Sequence, residues 1–218
     1  MRVSFARLNA VAILTSVGLF VALEAAAMWL YPGGTWWDAQ ALGHRFWENF
    51  LCDLEWRVAL DGRPNPVGSR LAFAAMATLA AGVGFFWFAI ARILAASGRD
   101  LIARFVRFSG VSAVVGILMV ISMPSDAYGS LHGVMVIAAS LLGFAATTVA
   151  VLGLGLAGRR GLAALGSATM ATSVFDFVLY ASHFATHLPD SPLTPAVEKV
   201  ALGALLAWMV AGARSIAS

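Results

Sequence analysis

The chain alternates long apolar runs with shorter polar connections. Six runs of roughly 20 residues carry almost no charge, at about 8–31, 71–92, 105–123, 131–157, 161–186 and 196–214. At about 1.5 Å of rise per residue, a helix of this length crosses a hydrocarbon layer about 30 Å thick. Because lipid offers no partner to backbone N–H and C=O groups, each run must be a helix. The pattern predicts an all-α fold, a single polytopic transmembrane bundle of about six helices over residues 1–218.

One connection between the predicted helices, residues 32–70, is much longer than the others. It begins near the turn-forming stretch YPGGTWW. Apolar side chains at helical spacing follow over residues 39–56. This spacing predicts an amphipathic helix that lies on the bilayer or folds back over the bundle.

The composition excludes a soluble domain, and the distribution of basic residues predicts how the helices are oriented in the membrane. Hydrophobic residues make up 61% of the chain and charged residues 11%, whereas soluble domains have about half and a quarter. If the N-terminus is cytoplasmic, nine of the 14 Lys and Arg residues lie on the cytoplasmic side. This bias predicts that both termini are cytoplasmic. The protein is therefore predicted to be a multi-pass protein of the cell membrane, namely the inner membrane of a bacterium. The basic residues are thus a topology signal, and no soluble basic surface indicates nucleic acid binding.

The fifth apolar run contains three ionisable residues in the stretch DFVLYASHFATH. Each residue of a helix advances by about 100°, so Asp176, His183 and His187 lie within about 40° of one another. The stripe continues through the polar residues Thr169, Thr172, Ser173 and Tyr180. A charged group that faces lipid costs a few kcal/mol, so the stripe is predicted to face the bundle interior or a water-filled cavity.

Two polar residues of neighbouring helices lie on the same external side as the histidine pair. His132 begins the fourth predicted helix, and Asp126 lies at the end of the third. An HxxxH pair presents two imidazoles on one helical face, and a third from His132 would complete a three-nitrogen zinc set. Zinc lowers the pKa of its bound water to about 7. The pattern therefore favours metal-assisted hydrolysis, with Asp126 or Asp176 as the catalytic carboxylate that orients a ligand or acts as a base.

His132 followed by HFATH on a later helix resembles the zinc-binding histidines of the CREST superfamily, membrane hydrolases of the alkaline ceramidase and adiponectin receptor type. The resemblance implies a seven-helix bundle that cleaves a lipid amide. It also implies that His132, His183 and His187 bind the zinc ion and that Asp126 assists.

The early stretch FWENFLCDL is similar to that family's Glu and Asn-x-x-Ser segment, through Glu48, Asn49 and Cys52. The same loop also looks like that of uncharacterised bacterial multispan proteins, a resemblance that implies no activity. Cys52 is the single cysteine and excludes an internal disulfide.

Three other functions remain open for the same residues. A proton- or ion-coupled transporter would use Asp176, Glu24 and the histidines as relays. A haem-binding membrane protein would use His132 and His183 as axial ligands. A non-catalytic lipid-binding or assembly protein would use the polar stripe for packing. All of these functions have membrane lipids as partners.

Overall fold

The structure, a computed structural model, describes residues 5–186 and 193–217, with side chains for residues 5–182 and 193–217. These residues form seven α-helices and no strand: α1 (Phe5–Leu30), α2 (Pro66–Ala96), α3 (Asp100–Ser122), α4 (Ser125–Tyr128), α5 (Ser130–Leu156), α6 (Arg160–Thr186) and α7 (Leu193–Ala217). All except α4 contain a stretch long and apolar enough to cross a bilayer. The predicted all-α bundle with six spanning helices is confirmed.

Local sequence explains where several of these helices begin and end. Pro66 opens α2, at a position where the missing N–H removes no helical hydrogen bond. Gly98 and Gly158 follow the ends of α2 and α5 with φ of 74° and 73°. Only glycine adopts this left-handed conformation at low cost, so each stops its helix at a tight turn.

The six spanning helices form a closed ring. Each helix contacts the next one along the chain, and α7 returns to pack against α1. Helix α2 also contacts α5 and α7 and is the most buried of the six. Since successive helices alternate in direction, residues 31–65 lie at one end of the bundle, which we call the loop face. The other end is called the opposite face.

Phe86 and Trp87 of α2 and Trp208 of α7 form a buried aromatic cluster. The ring centroids lie 4.8 Å apart for Phe86 and Trp208 and 5.9 Å apart for Trp87 and Trp208. A Cβ added to Gly110 of α3 would lie 2.4 Å from Trp87 Cγ, and one added to Gly166 of α6 would lie 2.7 Å from Trp208 Cζ2. The two glycines therefore allow α3 and α6 to pack directly on the indole rings.

Residues 31–65 fold as turns with a single 3₁₀ turn at Cys52–Glu55. The side chains of two residues organise the segment. Asn49 Nδ2 donates to the Gly34 carbonyl, and Asn49 Oδ1 accepts from the Arg45 N–H. Asp53 accepts from the Phe50 N–H at 2.9 Å and from the Trp36 indole N–H at 3.1 Å.

The amphipathic helix predicted over residues 39–56 is wrong. The prediction rested on apolar spacing, yet Leu42 and Trp47 are exposed. Asn and Asp side chains compete with helical hydrogen bonds by pairing with nearby backbone groups. Here Asn49 and Asp53 take that role, so the segment folds around its polar residues.

We predict that Gly110→Ala destabilises the bundle, because the new Cβ would collide with the buried Trp87 ring and push α3 away from α2. Overpacking of this kind costs about 1–3 kcal/mol of unfolding free energy. The measurement is the thermal unfolding midpoint in one detergent. Gly155→Ala is the matched control, since nothing lies within 4 Å of a Cβ at that helical position. Equal midpoints for the two variants would contradict the close contact.

Candidate functional site

A cavity lies inside the helix ring, between the loop face and the aromatic cluster. Its volume is about 380 Å³, and it is lined by α2, α3, α5, α6, α7 and residues 50–55. Helix α1 packs outside it, against α2 and α7. Along α5 the lining runs from His132 to Thr147, a rise of roughly 22 Å at 1.5 Å per residue. The cavity is therefore long and narrow.

The cavity wall is mostly apolar, and its ionisable groups gather toward the loop face. Trp87, from the aromatic cluster, lines the part of the cavity farther from this face. The ionisable lining groups are Glu55 of the loop, His132 of α5, Asp176 of α6 and Glu198 of α7. The arrangement gives the cavity one charged end and a long hydrocarbon-like interior.

The polar stripe of α6 faces this cavity, as the sequence predicts. Thr169, Ser173, Asp176 and Tyr180 all line it. Thr172 instead turns its hydroxyl back to the Ala168 carbonyl at 2.9 Å. Asp176 interacts electrostatically with both Glu198 and Lys199 of α7. The side chain of His183 and the whole of His187 lie outside the described residues.

His132 is buried at the start of α5 and held in one orientation. Its Nδ1 lies 2.7 Å from the carbonyl oxygen of Met123, at the end of α3. Because a carbonyl can only accept a hydrogen bond, Nδ1 carries a proton in this contact, and Nε2 is the nitrogen that offers a lone pair when the ring is neutral. His132 thus presents a nitrogen that can accept a proton or bind a metal ion.

A buried lysine fastens the loop over the cavity. Lys199 of α7 is 7% exposed, and its Nζ donates to the Asn49 carbonyl and to Glu198 Oε2, the latter at 2.8 Å. The same Glu198 oxygen accepts from the Leu51 N–H at 3.1 Å. Two residues of α7 therefore hold residues 49–51 above the end of the ring.

A second attachment holds the loop on the other side. The Trp56 indole N–H donates to Ser125 Oγ of α4 at 2.8 Å. Asp126, also in α4, accepts from the Arg57 N–H at 3.2 Å. The segment between residues 49 and 57 is thus tied to both α7 and α4, which places the 3₁₀ turn over the cavity.

Glu55 lies in this 3₁₀ turn and is 9% exposed. It lines the cavity, and its carboxyl accepts no hydrogen bond from a described residue. Burial, and then the negative charges of Glu198 and Asp126, raise the pKa of Glu55 to about 8. Glu55 is therefore a mostly buried acid to which no described residue donates a hydrogen bond.

Burial also shifts the pKa values of three other ionisable side chains of the loop, namely Cys52, Asp53 and His44. Burial raises the pKa of the Cys52 thiol well above its usual value, so Cys52 is a poor nucleophile. Burial also raises the pKa of Asp53 to about 6, against the hydrogen bonds from Trp36, Phe50 and Asn49 that lower it. His44 packs edge-on against Tyr31 at 5.8 Å, and burial lowers its pKa to about 4.

The structure brings some of the predicted site residues together. His132 and Asp176 line one cavity. Asp126 lies at the surface, bound to the loop backbone, and is exposed. Within the described part of the chain, no three His, Cys, Asp or Glu residues form a group that could hold a metal ion. The two remaining predicted ligands, His183 and His187, are those whose side chains lie outside that part.

Glu24 is buried in α1, as a charged residue of a spanning helix must be. It is 4% exposed, and neither carboxyl oxygen has a hydrogen-bond partner among the residues described. The negative charges of Glu55 and Glu198 repel the Glu24 carboxylate, and the positive charge of Lys199 attracts it. It therefore belongs to the same acidic region as the cavity end.

Sequence reasoning missed the contributions of Glu55, Glu198 and Trp87. Glu55 and Glu198 lie near helix or loop boundaries, where acidic residues are ordinarily solvated. Trp87 is a single aromatic residue in an apolar helix. One available signal was the adjacent pair Glu198–Lys199 inside an otherwise apolar run, because such a pair requires partners.

A scan against protein-family models found no match to this chain, and neither did searches of curated proteins and of solved structures. The function is therefore argued from the geometry of the cavity.

We predict that protein stability falls as the pH rises from about 4 to about 8, with Glu55 as a main contributor. The folded-state pKa of Glu55, about 8, exceeds the ordinary glutamate value of 4.5. Folding therefore favours the protonated acid, and this contribution is lost as the pH rises through the folded-state pKa. The measurement is the thermal unfolding midpoint across this pH range.

Glu55→Gln should flatten the pH dependence, because the amide does not titrate. Glu55→Asp is the control, since it keeps a carboxyl and should keep most of the slope. An unchanged slope in Glu55→Gln would show that this carboxyl is not the titrating group.

Proposed function

We propose that this protein is an integral membrane protein that binds a single-chain amphipathic molecule, such as a lipid, inside its helix ring. The observation that carries the proposal is the shape of the cavity, a narrow apolar channel with ionisable groups at one end. Its volume of about 380 Å³ lies within the about 300–1,000 Å³ typical of small-molecule sites. A hydrocarbon chain would contact the apolar wall, and a polar head would meet the charged end.

The chemistry of the wall supports a chain rather than a polar solute. Met76, Leu79 and Val83 of α2 face Ile117 of α3 and Leu205 of α7 across the cavity. Each buried CH₂ group contributes about 0.8 kcal/mol relative to water, so an alkyl chain would bind here in preference to a polar molecule. The loop attachments to α7 and α4 keep the charged end covered.

The test uses a neutral single-chain probe, bromododecanol, whose bromine quenches tryptophan fluorescence on contact. In nanodiscs, wild-type protein should show saturable quenching, because Trp87 lines the cavity. Gly143→Leu should abolish the saturable part, since Gly143 lines the cavity with nothing within 4 Å of an added Cβ. The leucine would fill the channel without a collision.

Gly155→Leu is the matched control for this experiment. It places the same side chain on the same helix, at an exposed position with nothing within 4 Å of a Cβ. It should keep wild-type quenching. Saturable quenching that survives equally in Gly143→Leu would overturn the proposal.

We propose metal-assisted hydrolysis of a lipid amide as a second candidate function. Its specific support is the orientation of His132, whose Nδ1 hydrogen bond to Met123 leaves Nε2 free for a ligand role. Asp176 lies on the same helix as His183 and lines the same cavity as His132. A zinc ion bound there would supply a hydroxide nucleophile at neutral pH.

We predict that, if this second function holds, purified protein contains about one zinc ion per chain. His132→Ala, His183→Ala and His187→Ala should each lose it. His44→Ala is the control, because His44 packs against Tyr31 in the loop. Elemental analysis of protein purified without added metal makes the measurement. Wild-type protein without zinc, or equal zinc in His132→Ala and His44→Ala, would remove this function.

A further inference from the structure

The charged end of the cavity carries negative groups without matching positive ones. Three carboxyl side chains line it, from Glu55, Asp176 and Glu198. Among the described residues, no Lys or Arg side chain lines the cavity. A molecule that enters this end therefore meets an acidic surface on three sides, from the loop, α6 and α7.

The nearest buried cation is already in use. Lys199 Nζ donates to the Asn49 carbonyl and forms an ion pair with Glu198 at 2.8 Å. Its side chain is 3% exposed, so it is committed to fastening the loop. Lys199 thus compensates Glu198 in part and attracts Asp176 without pairing with it directly, whereas Glu55 has no ion pair within the described part of the chain.

Glu55 provides an independent indication of a missing partner. It is nine-tenths buried, lines the cavity and accepts no hydrogen bond from a described residue. Buried polar groups in native proteins are nearly always paired, and an unpaired one is destabilising. A ligand that donates hydrogen bonds to Glu55 would remove this cost, and its positive charge would favour the ionised carboxylate against burial and the repulsion from Glu198 and Asp126, which raise the pKa of Glu55 to about 8.

A primary ammonium group fits these requirements. It carries one positive charge and three N–H donors, each of which can pair with a carboxyl oxygen of the cavity lining. The aromatic rings of Phe50 and Phe177 line the same cavity and tolerate a nearby cation. A sulfate or phosphate head would instead be repelled by the three carboxyls.

We propose that the cavity selects single-chain amphiphiles with a primary ammonium head, held by Glu55, Asp176 and Glu198, with the alkyl chain along the apolar wall. This inference rests on the proposed lipid-binding function and names the head group that the site prefers.

The experiment compares three probes with the same chain: bromododecylammonium, bromododecanol and bromododecyl sulfate. Each is titrated into nanodiscs of zwitterionic lipid, and the quenching seen with Gly143→Leu is subtracted as the bilayer background. The ammonium probe should bind about tenfold or more tightly than the alcohol, which corresponds to about 1.4 kcal/mol. The sulfate probe should bind most weakly.

Glu55→Gln and Asp176→Asn should each weaken binding of the ammonium probe more than binding of the alcohol, so the ratio of the two affinities should fall. Alcohol binding in the same variant reports whether the cavity is intact, so a misfolded variant is recognised. Glu48→Gln is the control, because Glu48 pairs with Arg45 in the exposed loop.

The experiment distinguishes failure of the proposed lipid-binding function from failure of the head-group inference. If no probe shows quenching that Gly143→Leu removes, the proposed lipid-binding function fails. If the alcohol binds saturably but the ammonium probe binds no more tightly, the cavity binds lipid and the head-group inference alone is overturned. A preference for ammonium that persists in both Glu55→Gln and Asp176→Asn would also overturn it.

Discussion

The ionic contact of Lys199 determines how the loop sits on the bundle. A lysine near the end of an apolar helix needs partners, because an uncompensated charge in a low-dielectric setting is costly. Lys199 obtains one from the neighbouring Glu198 and another from the Asn49 carbonyl. Since Asn49 belongs to the loop, the requirement of one buried charge fixes a segment that is distant in sequence.

This attachment has consequences for the cavity. Leu51 donates to the same Glu198 carboxylate, and Asn49 and Asp53 organise the turn that follows. Glu55 is thereby held over the end of the ring. At the other end, the Phe86, Trp87 and Trp208 rings pack so closely on α3 and α6 that two facing positions have to be glycine. The cavity is the space that remains between a polar cover and an aromatic floor.

The sequence allowed prediction of the helices and of the face that α6 turns inward. Both follow from strong physical constraints, namely the backbone hydrogen bonds that lipid cannot provide and the cost of exposing Asp176 to lipid. The loop escaped prediction because Asn49 and Asp53 override its apolar spacing through contacts with backbone groups. The position of Glu55 at the cavity could not be predicted from the sequence either, because its burial depends on hydrogen bonds of the loop to α7 and α4 that no local sequence pattern indicates. His132, predicted as a zinc ligand, lines the cavity, whereas Asp126 binds the loop backbone at the surface.

The polar residues of the loop and the cavity fall into two groups, those with several hydrogen-bond partners and those without, and this difference indicates which of them serve a function. Asn49, Asp53 and Lys199 each have several partners that hold the loop in place. Glu55 and Asp176 form no hydrogen bond or ion pair with a described residue through their side chains, although both border the cavity. An acid without a hydrogen-bond partner in apolar surroundings is costly unless something offsets the cost. The hydrogen bonds that hold the loop come from other residues, and neither the Glu55 nor the Asp176 carboxyl contributes one. Their presence beside an apolar channel is explained if the positively charged head of a bound molecule is their partner.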